Sequence, residues 1–218
     1  MEERMAKSVL LIGLGRFGYH MAERMQELKD EVLGVDIDED KVEQCLSCLT
    51  SAQIADATDE NFIRTLGVRN FDVCVVAIGD NFQASLEVTA LLKDFGAQFV
   101  VSRAAGEIHA KFLLRNGADQ VIYPERDMAR HAAVKYSANH VLDFFQLTPE
   151  YAIYEISAPK EWMGKSIEEL QVRRKHHVNI LAVRVGETVD PVVSPAYRFT
   201  GQESIFILGA SKEVKPFL

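Results

Sequence analysis

Six residues carry the first chemical signal: Gly13, Leu14, Gly15, Arg16, Phe17 and Gly18 form a G-x-G-x-x-G turn between an apolar run at 9–12 and an amphipathic stretch at 17–28. Each glycine answers a different demand. The first permits the turn, the second lets a phosphate approach the backbone, and the third lets a helix pack closely on a strand. Amides at the start of the following helix then face the anion, with the helix dipole behind them. Asp36 lies 18 residues beyond Gly18, at the end of the next apolar run, where a carboxylate accepts hydrogen bonds from ribose hydroxyls. Asp38, Glu39 and Asp40 follow, and Lys41 is the first cation, so a 2′-phosphate is disfavoured. Asp56, ahead of Ala57 and Thr58, ends the third apolar run. It has two readings: contact with the adenosine end of the same ligand, or part of a helix start with Thr58, Asp59 and Asn61. Arg16 also has two: a guanidinium that grips phosphate, or a first-turn residue facing solvent.

Other clusters are weaker. Cys45 and Cys48 have the spacing of a redox or metal pair, but Cys74 is the only other cysteine and the setting is an amphipathic helical stretch. Buried structural thiols are the expectation. Arg173-Arg174-Lys175-His176-His177 sets five basic or potentially basic side chains in a row, either as a solvated turn or as a pocket for an anion. His109, His131 and His140 fall in helical stretches and need no catalytic part. No G-x-S-x-G nucleophile and no zinc pattern occurs, so a ligand-binding chain rather than an enzyme is expected.

These residues need a scaffold, and the hydrophobic pattern supplies one. Short β-rich runs at 9–12, 32–35, 52–55, 73–78, 99–101 and 121–123 alternate with helical spacing at 17–28, 61–66, 81–95 and 107–116. Strands unbroken by polar residues are buried on both faces, and alternation with helices implies right-handed crossovers and a parallel sheet. The expected fold is α/β: a doubly wound, Rossmann-like parallel sheet over residues 1–125, its ligand at the carboxyl ends of the first strands. From 125 to 145 the pattern reads as a helix, a break near 137–139 and a second short helix, making 126–147 a helical crossover. Thr148-Pro149 reads as a boundary, because proline disfavours helix in the residue before it. Residues 148–218 then form a small α+β domain, with strands at 151–157, 180–185 and 204–208 and a short helix opening at 166.

Composition narrows the partners. The 218 residues are 48% hydrophobic, enough for a real core. Against 32 acidic side chains stand 24 Lys and Arg, a net charge of −8. That balance lacks the basic surplus on which phosphate-backbone binding depends, so nucleic acid is excluded as a partner. Apolar runs fall short of the roughly 18 residues of a membrane span, the N-terminus has no signal-peptide pattern, and three cysteines suit a reducing compartment. A cytoplasmic chain is expected.

The glycine loop together with "DIDEDKV", "ADATDENFIRTLGVRNFD", "VVAIGDNFQASLEVTALLKDFG" and "GADQVIYPERDMA" resembles the regulator-of-potassium-conductance (RCK, or KTN) domain. This is the domain of KtrA/TrkA-type regulatory subunits of bacterial potassium uptake systems. The trailing segment resembles their RCK-C domain, with His176-His177 where an aromatic-glycine pair is common. The resemblance implies a homo-oligomer, dimers forming an octameric ring, docked on the inner face of the cell membrane beneath a separate membrane-embedded potassium transporter subunit. It implies ATP and ADP as ligands. NAD(H) is the alternative, in an oxidoreductase or redox sensor of the same fold. By the same resemblance, Arg16 crosses a two-fold interface to the γ-phosphate held by the neighbouring subunit. Glu125 lies near the two-fold axis, where Mg²⁺ or Ca²⁺ would join the paired carboxylates. Val172, Arg173, Asn179, Ile180 and Pro195 occupy positions that bind cyclic di-AMP in this family.

Overall fold

The computed structural model describes residues 5–137 and 140–217. Contacts divide the chain into two units, one ending at Glu125 and the other beginning at Arg126.

The first unit alternates strand and helix: β1 (Ser8–Ile12), α1 (Arg16–Glu27), β2 (Glu31–Asp36), α2 (Glu39–Cys45), β3 (Ser51–Ile54), α3 (Glu60–Thr65), β4 (Val73–Val76), α4 (Phe82–Asp94), β5 (Val100–Arg103), α5 (Glu107–Arg115) and β6 (Gln120–Ile122). All neighbouring strands pair in parallel, in the order β3-β2-β1-β4-β5-β6. The expected doubly wound sheet is therefore present. Alternate residues of one strand feed two cores. Val9 and Leu11 pack with Val32, Val42 and Ala22 on one face, while Leu10 and Ile12 pack with Cys74, Val88 and Leu92 on the other. That two-sided burial is why the central strands read as unbroken apolar runs. Cys45 and Cys48 are buried and unbridged. Burial pushes the Cys45 thiol up to about 11, so it stays protonated. His109 is buried between α4 and α5: its Nδ1 accepts the Ala105 N–H at 3.2 Å, which leaves the proton on Nε2 for Ser85 Oγ at 2.7 Å. Burial lowers its pKa, in keeping with a neutral structural ring.

The second unit is an antiparallel sheet with short helices. α6 (Pro124–Ser137) is followed by β7 (Val141–Gln146), β8 (Tyr151–Ser157), α7 (Ile167–Leu170), α8 (Val172–His176), β9 (Asn179–Val185), β10 (Thr188–Asp190), β11 (Ser204–Ala210) and α9 (Ser211–Val214). The sheet order is β10-β9-β11-β8-β7. The short helix expected to open at 166 is present as α7, and a capping box starts it: Ser166 Oγ accepts from Glu169 N, and the Glu169 carboxylate from Ser166 N.

Two sequence expectations need correction here. Residues 141–146 are not a second short helix of a crossover at 126–147; they form β7, paired antiparallel with β8. Thr148-Pro149 is not a boundary between domains. It is the turn of that hairpin, where Leu147 and Thr148 both donate to Tyr151 O and Thr148 Oγ1 accepts from the Glu150 and Tyr151 amides. The expected break at 137–139 falls partly on residues outside those described.

One buried carboxylate closes this unit. Glu203 accepts from Thr200 N (2.8 Å), Thr200 Oγ1 (2.7 Å), Gly201 N (2.7 Å) and Tyr197 Oη (3.0 Å). Burial alone would raise its pKa, but the hydrogen bonds from Thr200 and Gly201 hold it down to about 2. A depressed folded-state pKa stabilises above the unfolded value, near 4.3, and that contribution is lost as pH falls toward 2. The shift corresponds to about 3 kcal/mol. Glu203→Gln is expected to lower stability at pH 7 and to flatten the acid limb below pH 4. Denaturant titrations followed by Trp162, the sole tryptophan and part of this core, check it; an unaltered acid limb would assign the lability elsewhere.

Candidate nucleotide-binding site

β1 and β4 are neighbours in the sheet, and the chain order reverses between them. The crevice outside the carboxyl ends of such strands is where a doubly wound sheet binds ligands. It is occupied here by a cleft of about 1050 Å³, lined in part by Gly13, Gly15, Arg16 and Phe17. The glycines do what their spacing predicts. Gly13 sits at φ +97°, and a Cβ there would meet Ile78 N at 3.0 Å. Gly15 is the N-cap of α1 with no side-chain cap, and a Cβ there would meet nothing within 4 Å. Gly18 packs so tightly that a Cβ would lie 2.0 Å from Gly13 O. The first turn of α1 carries no acidic residue, and Gly15, Arg16 and Phe17 at the helix start line the cleft, the position at which a helix N-terminus favours an anion.

Asp36 ties the loop to the second strand. Its Oδ2 accepts from Leu14 N at 2.7 Å and its Oδ1 from Asp38 N at 3.0 Å. The carboxylate lines the cleft with lone pairs still open to hydroxyl donors. Leu14 itself is core: its side chain is 3% exposed, and its amide is given to Asp36 rather than to a ligand. Asp56 lines the cleft with Ala57 and Thr58. Its Oδ1 accepts from Thr58 Oγ1 (2.7 Å) and Thr58 N (2.9 Å), and these bonds, the hydroxyl's first, lower its pKa. The cap of α3 is Asp59, which accepts from Asn61 N, so Asp56 is not the helix cap.

Arg16 is exposed and lines the cleft, as does Glu125. The Glu125 carboxyl is held below its ordinary value by its own backbone N–H first and by Arg103 second, with Arg16 adding a smaller field. Arg103 Nη2 donates to Glu125 Oε1 at 2.6 Å. Nothing in the glycine-turn pattern points to Arg103, nor to Gly79 and Asp80 after β4, yet all three line the cleft. The signal that finds them is the strand order: β4 lies next to β1 and β5 next to β4, so their carboxyl ends open on the same crevice. Among the described residues no group of three His, Cys, Asp or Glu side chains could hold a metal ion. Glu125 supplies hard oxygen donors of the kind that Mg²⁺ and Ca²⁺ take.

In the second unit a separate cleft of about 570 Å³ is lined by Val172, Arg173, Asn179, Ile180 and Pro195. Arg174 joins them, whereas the His176 ring packs against Phe217 at 4.9 Å. The basic run is therefore divided between a cleft and the core edge.

A doubly wound parallel domain with a glycine-turn cleft, followed by a small antiparallel unit, is the RCK architecture. The TrkA-N domain model matches residues 9–124. Ktr system potassium uptake protein C of Bacillus subtilis is 40% identical over 215 residues, 98% of this chain and 96% of that protein. Ktr system potassium uptake protein A of the same organism is 39% identical over 211 residues, 97% and 95% of the two chains. The solved structure of a GsuK channel bound to NAD matches with a TM-score of 0.68 at 14% identity, over 98% of this chain and 39% of that one. The chain thus spans about two fifths of that channel, and the match is one of fold. The chain belongs to the TrkA-N family of KtrA/TrkA-type RCK subunits.

Proposed function

We propose that this chain is the cytosolic, nucleotide-sensing gating subunit of a potassium uptake system, without catalysis of its own. The observation that carries the reading is the uncapped start of α1 at the reversal of the sheet, with Asp36 beside it, in a chain so similar to Ktr proteins along its whole length. ATP and ADP occupy the first cleft, ribose at Asp36 and phosphates at the glycine loop. Their different affinities for two states of the assembly shift a membrane-embedded transporter partner between conducting and closed forms. The homo-oligomer is built from dimers into an octameric ring at the inner face of the membrane. Arg16 meets the γ-phosphate of the adjoining copy, and the exposed guanidinium at the cleft supports that role. Glu125, with the γ-phosphate, takes Mg²⁺ or Ca²⁺.

Thermal-shift titrations with ATP, ADP and NADH test the reading; a response to NADH alone would move the case to a redox sensor. Arg16→Ala is expected to weaken ATP about tenfold more than ADP, the loss of one charge-assisted contact. Equal losses would remove Arg16 from the sensing role.

A second ligand is proposed for the second cleft, cyclic di-AMP, because the five residues implied by the resemblance line one cavity. Arg173 would meet its phosphates, Asn179 a polar edge, and Val172 and Ile180 the adenine faces. Calorimetry on the full chain is expected to show micromolar binding that Arg173→Ala weakens about tenfold or more. No heat at micromolar ligand would overturn it.

A further inference from the structure

Arg103 ends β5 and touches three walls of the first cleft. Its Nη2 holds Glu125 Oε1 at 2.6 Å, with the arginine side chain only 18% exposed. Its guanidinium carbon lies 5.7 Å from the ring centre of Phe17, in the first turn of α1. Gly79, after β4, leaves it room: a Cβ there would lie 2.2 Å from Arg103 Nη1. One buried donor is unspent. Arg103 Nε is, among the described residues, the sole buried side-chain polar atom without a hydrogen-bond partner. A buried N–H without an acceptor is unfavourable, so the guanidinium's present seat leaves it a reason to move.

We propose that Arg103 couples the γ-phosphate of bound ATP to cation access at Glu125. The inference rests on the adenine-nucleotide reading of the same cleft. With the guanidinium on Glu125, the carboxylate is neutralised and one of its oxygens is occupied, so a divalent cation meets a positive group in its place. The γ-phosphate oxygens, which ADP lacks, offer the planar fork a bidentate acceptor of higher charge. Drawing Arg103 onto them gives Nε a partner and frees Glu125, whose hard oxygens then suit Ca²⁺ or Mg²⁺. The arginine serves as a latch that phosphate opens. Linkage makes the effect mutual: whatever phosphate does for the cation, the cation does for nucleotide affinity by the same factor.

The test uses the full chain and Ca²⁺ as the probe, with apparent affinity read by thermal shift in saturating ATP and in saturating ADP. In the unsubstituted protein Ca²⁺ is expected to bind at least tenfold more tightly in the ATP form. Glu125→Gln is expected to remove that response. Arg103→Gln is expected to reduce the ATP-to-ADP ratio of Ca²⁺ affinities at least fivefold, and to reduce by the same factor the gain in ATP affinity, relative to that in ADP affinity, that Ca²⁺ brings. Arg103→Lys, which keeps a point charge beside Glu125, is expected to retain part of the ratio, and it serves as the readout if the glutamine variant does not fold. A fixed background charge would instead tighten Ca²⁺ equally in both nucleotide forms and leave the ratio unchanged. That result overturns the proposal while the nucleotide reading stands, as does the absence of any Ca²⁺ response in the unsubstituted chain. Failure to bind either nucleotide overturns the reading beneath it, and the proposal with it.

Discussion

Gly18→Ala is expected to lower the stability of the first unit by about 3 kcal/mol and to abolish nucleotide binding with it. The added methyl would sit 2.0 Å from Gly13 O and 3.0 Å from Gly13 C. Neither atom can yield cheaply. Gly13 is fixed by its N–H to Val35 O at 2.8 Å, and the adjoining Ala77 by its N–H to Ile12 O at 2.7 Å. Relief must come from moving α1 away from the turn, which withdraws the helix-start amides from the phosphate position. Gly15→Ala provides the contrast. Its backbone is ordinary, at φ −66°, and a methyl there meets no protein atom within 4 Å. The protein should stay within about 1 kcal/mol of its original stability, yet the methyl stands where the phosphate must approach. Calorimetric melting and ATP titration separate the two. Gly18→Ala should lose about 10 °C and all binding, and Gly15→Ala should lose binding alone. A Gly18 variant that melts normally, or a Gly15 variant that binds normally, would contradict this division of labour.

The sequence made the first unit legible because its local and global signals agree. β1 is buried on both faces and reads as an unbroken apolar run; the glycines then mark where backbone rather than side chain must come close. The reading failed where local pattern and pairing diverge. In Val141-Leu-Asp-Phe-Phe-Gln146 apolar residues fall at 141, 142, 144 and 145, a spacing that fits a helix as well as a strand. The structure shows why. The register of β7 against β8 shifts between Val141 and Asp143, so two steps on one strand answer one step on the other, from Ile156 to Glu155. Such a bulge breaks the alternation by which a strand is recognised. β7 is also an edge strand with only Val141 fully buried, so few positions report its period. Arg103 was hidden for another reason. It lies 85 residues beyond Gly18, and only the strand order brings the two to the same crevice.

Asp36→Ala is expected to weaken ATP and ADP alike, by about 100-fold, because it removes the group proposed to hold the ribose they share. Two charge-assisted hydrogen bonds at ~1.5–3 kcal/mol each would account for a loss of that size. The same substitution strips both backbone amides of their acceptor: Leu14 N, now 2.7 Å from Oδ2, and Asp38 N, 3.0 Å from Oδ1. Leu14 is buried, so its amide is left without a ready water, and the unit should lose about 1–3 kcal/mol even without ligand. Asp36→Asn is no gentle alternative. The two amides use the two carboxylate oxygens separately, whereas a carboxamide offers one oxygen and turns an NH₂ toward the other N–H. Its melting point without nucleotide should therefore fall nearly as far as that of the alanine variant. The decisive comparison is with Arg16→Ala, which is expected to separate ATP from ADP. Asp36 variants must treat the two nucleotides equally, since ribose lies far from the γ-phosphate by which they differ. Unchanged affinity in Asp36→Ala would place the ribose elsewhere. A loss confined to ATP would mean that Asp36 acts through the shape of the glycine loop, by its grip on the Leu14 amide, rather than on the sugar.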